Sequence, residues 1–521
     1  MTDGVTHTPE TVVRWHDALA ISEVLSDVPV RVDVAGTPVI VIRTPQGDVR
    51  AFGAECPHKG APLEKGAVCD GRLACPWHKA EFSLNDGCLI EPLSFDPLPV
   101  YPVEISDGRV LISPHPEQQR RAPSSRENER AIIIGGGAAG TAAAVSLREF
   151  GFAGTITLID DDGASPYDRT ALSKTVLAGK AKNGKPPGLR PDNWWSIHAI
   201  RRIRDKVAAL DVGTKRITLA DGTGMDADHV LIAPGSTAKR PAIPGVEKDG
   251  VFTVRHAKDA EAINSRIETG ASRAVVCGGS FIAMETAASL TMRGLDVTVV
   301  APMDVPFAHV FGERAARRLM TLHEEKGVVL RTGRRVTAIT GDIRAEGVEL
   351  DDGTHISADF VIMGTGVTPA TDFVADLRAP DGGIDVDERL QIAPGVYVAG
   401  DAARFPHGSS MVRIEHWRTA EVQGRQVARS IMNQSGMNQS GMNGSGVFDQ
   451  LPWFWTQQFD AKLEYVGYQE EFDHADFNGD AETFDFTVTL TQQGRWVGTV
   501  TAGRPKVTGE LVLHGPPEKA V

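Results

Sequence analysis

The sequence predicts a multidomain chain: a small all-β domain first, two α/β domains built on parallel sheets, then a C-terminal α+β domain. Three observations predict this order. Residues 8–113 carry short β-branched runs separated by Gly and Asp turns, the texture of a small antiparallel β domain. From residue 130 the pattern becomes apolar strand, glycine turn, Ala-rich helix and second apolar strand, and it occurs twice, at 131–160 and 273–300. Strands alternating with helical patterns form parallel βαβ sheets. A length of 521 residues has room for three or four such units.

Taken in order, the β domain contains runs such as Val39-Ile40-Val41-Ile42 and Val100-Tyr101-Pro102-Val103. Residues 114–129 are polar, charged and proline-containing, and read as a linker. The first α/β domain is assigned to 130–252 with 379–431, and the second to 253–378. Residues 432–446 hold three near-copies of one pentamer, MNQSG. That composition cannot bury a core and predicts a flexible loop. Residues 447–521 follow, with the aromatic cluster Pro452-Trp453-Phe454-Trp455 and alternating segments characteristic of a final α+β domain.

Composition excludes some classes of function. The formal charge of −14 leaves no basic face for nucleic acid. No stretch approaches the roughly 20 apolar residues of a membrane span, and the first residues lack the basic and apolar regions of a secretory signal. Four of the five cysteines fall within 33 residues, Cys56 to Cys88. An odd, clustered set points to a metal site and a reducing, cytoplasmic setting rather than a disulfide framework.

The most specific motif is Cys56-Pro57-His58, sixteen residues, then Cys75-Pro76-Trp77-His78. Two thiolates for one iron and two imidazoles for the other are what a Rieske [2Fe-2S] cluster needs. Cys-x-His followed by Cys-x-x-His resembles the Rieske ferredoxin pattern, so Cys56, His58, Cys75 and His78 are the candidate ligands. Two Cys and two His also suit zinc. Zinc fingers, however, usually pair Cys-x-x-Cys with His-x-x-x-His, so the loop framing favours iron. The positions where respiratory Rieske proteins carry a disulfide are Ala61 and Trp77. This resembles the ferredoxin-like branch, which implies the lower end of roughly −150 to +300 mV. Cys69 and Cys88 read as ordinary thiols.

Ile132-Ile133-Ile134 runs into Gly135-x-Gly137-x-Ala139-Gly140, and Asp160 closes the next strand. This is the Rossmann-like dinucleotide frame: glycines let the backbone approach a pyrophosphate at a helix N-terminus, and the acid meets the adenosine ribose. A distant segment, Gly395-Val-Tyr-Val-Ala-Gly400-Asp401, resembles the one presenting an Asp to the flavin ribityl chain in two-dinucleotide flavoproteins, which implies FAD. From residue 130 onward the chain resembles oxygenase-coupled ferredoxin reductases and apoptosis-inducing-factor-like oxidoreductases. The matching stretches include Pro166 to Lys174, Ile232 to Gly235, Glu415-His416-Trp417 and Pro452 to Trp455. With the β module in front, the likeness is to Rieske-bearing members of the latter group. It implies that Arg169 and Lys174 contact FAD, and that Glu285 pairs with Lys174 on the nicotinamide side. These two are the candidate catalytic residues. The likeness also puts Val207, Gly366, Glu415, His416, Trp417 and Trp455 among the cofactor-binding set.

The second dinucleotide turn is degenerate: Gly278-Gly279-Ser280-Phe281-Ile282-Ala283. Gly278, Ser280, Phe281 and Ile282 are its candidate contacts with NAD(P)H. Ala301 stands where NAD-selective proteins carry an acid, Asp304 follows, and no arginine cluster comes directly after. The reading leans to NADH over NADPH. No Cys-x-x-Cys or Cys-x₄-Cys pair occurs, so a glutathione-reductase-like redox disulfide is excluded. The expectation is an NAD(P)H-dependent FAD oxidoreductase, monomer or homodimer, passing electrons through its cluster to a ferredoxin, cytochrome or oxygenase. The rival is an NADH oxidase or redox sensor whose reduction controls dimerisation or partner binding; slow turnover would favour it.

Overall fold

A computed structural model describes residues 14–91, 96–117, 125–408, 410–432, 447–468 and 471–516. Nearly all of the MNQSG repeat and the middle of the 114–129 linker therefore lie outside the described residues. The chain separates into two units, 1–120 and 121–521.

The first unit is built from three small antiparallel sheets. Its longest strand, Thr37–Arg43, explains the unbroken apolar run there. Val39 and Val41 pack into one core while Ile40 and Ile42 pack into another, because successive side chains of a strand point to opposite faces. The second of these cores contains Phe52, Leu63, Leu73 and Phe82 together with Cys56 and Cys75. The strands Ala67–Cys69, Arg72–Ala74, Glu81–Ser83 and Leu89–Glu91 form the sheet from which the second Cys/His loop projects.

In the second unit, the strands Arg130–Ile134, Thr155–Ile159, Ile200–Ile203, His229–Ile232 and Val396–Val398 pair in parallel, and Gln391–Ala393 adds an antiparallel edge. A second sheet places Arg273–Cys277 between Asp296–Ala301 and Phe360–Met363, all parallel, with Val251–Phe252 and Val329–Thr332 at its edges. Each central strand is followed by a glycine turn and a twelve-residue helix, Ala138–Glu149 in the first sheet and Phe281–Met292 in the second. The helix Trp417–Ile431 lies against Ala138–Glu149 so closely that a Cβ on Gly424 would meet the Ala139 carbonyl at 2.1 Å.

The C-terminal domain is a five-stranded antiparallel sheet closed by the helix Pro505–His514. Its inward residues Phe454, Leu463, Tyr465 and Phe486 share one core with Phe307, Phe311 and Met284 of the second α/β domain. That shared core holds the strand Trp453–Gln458 against the helix Phe281–Met292. No helix among the described residues is long and apolar enough to cross a membrane.

Candidate functional site

The two Cys/His loops are near-copies in backbone. The Cys56 N–H donates to the Ala61 carbonyl and Gly60 N–H to the Cys56 carbonyl; Cys75 N–H donates to Ala80 and Lys79 N–H to Cys75 in the same way, all at 2.8–3.0 Å. The fourth residue after the cysteine is left-handed in both, Gly60 at φ +73° and Lys79 at φ +54°. Each sulfur faces the backbone N–H groups two and three residues on: His58 and Lys59 for Cys56, Trp77 and His78 for Cys75. The thiols hydrogen-bond each other, which raises Cys56 and lowers Cys75. The rings of His58 and His78 stand 4.8 Å apart at 66°.

This donor set suits a two-iron cluster. The sulfurs meet as one pair and the imidazoles as another. Among the described residues, however, no three of these four side chains bring their ligand atoms within 4.8 Å of one another. A single tetrahedral zinc would gather all four. A [2Fe-2S] centre, with thiolates on one iron and imidazoles on the other, requires two separated pairs.

At the ends of the parallel strands in the second unit lies a cavity of about 430 Å³, within the range of cofactor sites. Its lining includes Gly135, Gly137, Ala139, Asp160, Arg169, Lys174, Val207, Ser280, Phe281, Ile282, Glu285, Gly366, Asp401, Glu415, His416, Trp417 and Trp455. The two remaining candidates, Gly140 and Gly278, stand behind this wall and serve packing. A Cβ on Gly140 would lie 1.9 Å from the Gly135 carbonyl. One on Gly278, at φ +117°, would lie 2.3 Å from the Gly364 carbonyl. Gly137, by contrast, has nothing within 4 Å of its Cβ position. Its open side at the start of the Ala138–Glu149 helix leaves room for a pyrophosphate.

Asp160 accepts the Gly136 N–H at 3.0 Å, and burial raises its pKa. Asp401 follows Gly400, whose N–H donates to Gln423 Oε1 at 2.7 Å. The Asp401 carboxylate accepts from Ser236 Oγ at 2.9 Å and Arg255 at 3.1 Å. Neither Ser236 nor Arg255 is marked by a motif, and both come from more than 140 residues upstream. Arg169 is held by Asp162 at 2.9 Å. Asp162 also takes His256 and Tyr167; these partners outweigh burial and put its pKa far below the ordinary carboxylate range. His416, half-buried on the cavity wall with its ring 4.2 Å from that of Phe454, is lowered by desolvation to about 4, which leaves it neutral at pH 7. Trp417 Nε1–H donates to Glu421 at 2.9 Å.

Lys174 and Glu285 meet across this wall, Nζ to Oε2 at 2.7 Å, with the Glu285 side chain only 3% exposed. Ser173 donates to the same oxygen at 2.6 Å. On the nicotinamide side, Ser280 caps the Phe281–Met292 helix, accepting from Ala283 N–H while its hydroxyl donates to the Gly364 carbonyl at 3.0 Å. Ala301 ends its strand buried and receives the Arg334 N–H at 3.1 Å. The Arg334 guanidinium pairs with Asp352 at 3.0 Å. Sequence reading missed this arginine because it follows the next strand. No cysteine lines the cavity; Cys277 is buried, which pushes its thiol to about 12.

Residues 129–424 match the pyridine nucleotide-disulphide oxidoreductase family. The chain belongs to that family. Within it, residues 14–102 match the Rieske [2Fe-2S] domain and 453–510 the reductase C-terminal domain. The chain is 32% identical to apoptosis-inducing factor 3 of Mus musculus over 490 residues, 89% of this chain and 78% of that one. It is 34% identical to rhodocoxin reductase of Rhodococcus erythropolis, over 70% of this chain and 84% of the other. Among solved structures, the ferredoxin reductase for the CYP199A2 system of Rhodopseudomonas palustris superposes with a TM-score of 0.66 at 30% identity, covering 72% of this chain and 91% of that one. The reductase in a covalent putidaredoxin reductase–putidaredoxin complex gives 0.68 at 27%, covering 74% and 93%. This member of the pyridine nucleotide-disulphide oxidoreductase family is a flavoprotein oxidoreductase carrying a Rieske domain, and the disulfide of the family's name has no counterpart in its cavity.

Proposed function

We propose that this chain oxidises NADH in the cytoplasm and delivers the electrons singly, through its own Rieske module, to an acceptor protein such as a ferredoxin, cytochrome or oxygenase. The observation that carries this reading is the cavity itself: a buried Lys–Glu pair and two dinucleotide turns, with no cysteine to form a redox disulfide. Bound FAD supplies the conversion of a two-electron donor into one-electron steps, and the cluster supplies the outlet.

The chain's own residues bind, orient and exclude water. Gly135, Gly137 and Ala139 open the backbone to the FAD pyrophosphate, while Asp160 and Asp401 take its hydroxyls. Lys174 offers positive charge where a reduced flavin ring gains negative charge, and Glu285 keeps that ammonium in place. Phe281, stacked on Phe307 at 4.7 Å, closes the nicotinamide side with apolar surface. NADH is favoured over NADPH because Arg334, whose backbone N–H meets the Ala301 carbonyl, has its guanidinium engaged by Asp352. Cys56, His58, Cys75 and His78 hold the cluster.

His78→Ala tests the division of labour. It should abolish the Rieske spectrum and the reduction of one-electron acceptor proteins, while NADH still bleaches the flavin. Undiminished acceptor reduction by this variant would sink the proposal. The 89% coverage by apoptosis-inducing factor 3 favours one second reading, a redox sensor. Slow turnover with every acceptor, together with a change of dimerisation on reduction, would establish it instead.

A further inference from the structure

Behind the cavity wall, a chain of hydrogen bonds ends on Glu285. Two of its members come from an element that no dinucleotide motif marks, the first strand of the C-terminal domain. Thr456 Oγ1 donates to Glu285 Oε1 at 2.8 Å. Gln458 Nε2 donates to Thr456 Oγ1 at 3.2 Å, and Gln458 Oε1 meets His323 Nε2 at 2.7 Å. Thr456 and Gln458 lie two residues apart on the strand Trp453–Gln458, hence on one face. His323 sits on the helix Glu313–Glu325. Thr456 and His323 have no exposed surface, and Gln458 has 1%.

The chain has one consistent direction. Because the Gln458 amide nitrogen is spent on Thr456, its oxygen is the group facing His323, so His323 must donate from Nε2. Burial lowers His323 to about 4, which leaves it neutral and able to hold that single tautomer. Each donor therefore points toward Glu285: imidazole to amide, amide to hydroxyl, hydroxyl to carboxylate. The other carboxylate oxygen already takes Ser173 and Lys174. With both oxygens engaged, the Glu285 carboxylate cannot turn about its last bond without breaking a buried hydrogen bond.

We propose that Thr456 is a positioning residue for the hydride-transfer site, holding Glu285 in the orientation that keeps Lys174 at the flavin, with Gln458 and His323 fixing the hydroxyl's direction. The C-terminal domain thus completes the reductase site rather than only covering it. This rests on the reading that Lys174 and Glu285 stand beside the bound flavin and nicotinamide.

The test uses the full flavin-loaded chain and anaerobic stopped-flow reduction by NADH. Thr456→Val should slow flavin reduction roughly tenfold, the effect of losing one hydrogen bond to a charged group. FAD content and NADH affinity should stay within about twofold. Thr456→Ser should restore most of the rate. In a Glu285→Gln background, Thr456→Val should add less than about a twofold effect, because the group it acts through is gone. If Thr456→Val lowered thermal stability with no change in rate, Thr456 would be structural only. An equal slowing in both backgrounds would also overturn the proposal. Glu285→Gln reducing at the unaltered rate would instead remove the underlying reading of the Lys–Glu pair. Should Thr456→Val fail to retain FAD, Gln458→Met releases only the hydroxyl's direction; a slowing of about twofold or more supports the chain, and an unchanged rate counts against it.

Discussion

Lys174→Met separates what the Lys–Glu pair does for stability from what it does for the reaction. The substitution leaves the Glu285 carboxylate, 3% exposed, without its cation 2.7 Å away. Breaking a buried ion pair from one side costs about 3–5 kcal/mol. Two donors remain on Glu285, Ser173 and Thr456, and the Lys174 side chain is 20% exposed. The lower figure, about 3 kcal/mol, is therefore the appropriate one. At about 2–4 °C per kcal/mol for domains of 150–250 residues, Tm should fall by roughly 6–12 °C. The double variant Lys174→Met with Glu285→Gln removes both charges at similar volume, and should recover most of that loss. Flavin reduction by NADH should stay slow in both. Thermal unfolding followed by circular dichroism, paired with stopped-flow reduction, reads the two effects separately. A single variant with unchanged Tm, or a double variant no more stable than the single, would refute the assignment of an uncompensated buried charge.

Two further outcomes concern pH and packing. His323 and His416 are both lowered by burial to about 4, whereas in the unfolded chain they protonate near 6.5. The unfolded state binds the extra protons between these values, so stability is full above about pH 6.5 and falls as pH drops toward 4; at pH 5 the fully buried His323 accounts for a loss of about 2 kcal/mol, and the half-buried His416 for less. Urea unfolding at pH 7 and pH 5 should show the decline, and His323→Gln should remove more than half of it; an unaltered pH slope in that variant would contradict the buried neutral imidazole. Gly140→Ala forces a Cβ to within 1.9 Å of the Gly135 carbonyl, an overpacking of about 1–3 kcal/mol. It should weaken FAD retention roughly tenfold or more, measured by flavin release on dilution, and undiminished retention would show that the turn can relax freely.

Much of the site was legible because its chemistry follows short spacings. Two Cys/His loops of matched length need no tertiary information, and Gly135, Gly137 and Gly140 carry their geometry in a six-residue turn. Even there the sequence did not separate roles: Gly137 faces open space, whereas Gly140 is needed for backbone contact. The groups that were missed depend on the tertiary fold. Ser236 and Arg255 reach Asp401 because parallel strands far apart in sequence end at one edge. Arg334 meets Ala301 through the neighbouring strand of the same sheet. No motif marks Thr456; the core shared with Phe281–Met292 turns its hydroxyl onto Glu285. A polar residue beside Trp453-Phe454-Trp455, at full burial, could not be given a partner before that packing was known.

The internal relay from nicotinamide to cluster is tested most directly by anaerobic mixing of the intact chain with NADH, following flavin absorbance while freeze-quenched samples report the cluster by EPR. Relay within this protein requires the flavin to bleach first and the signal of the reduced cluster to grow afterwards, with no added acceptor. A flavin that bleaches fully while the cluster stays oxidised would contradict it.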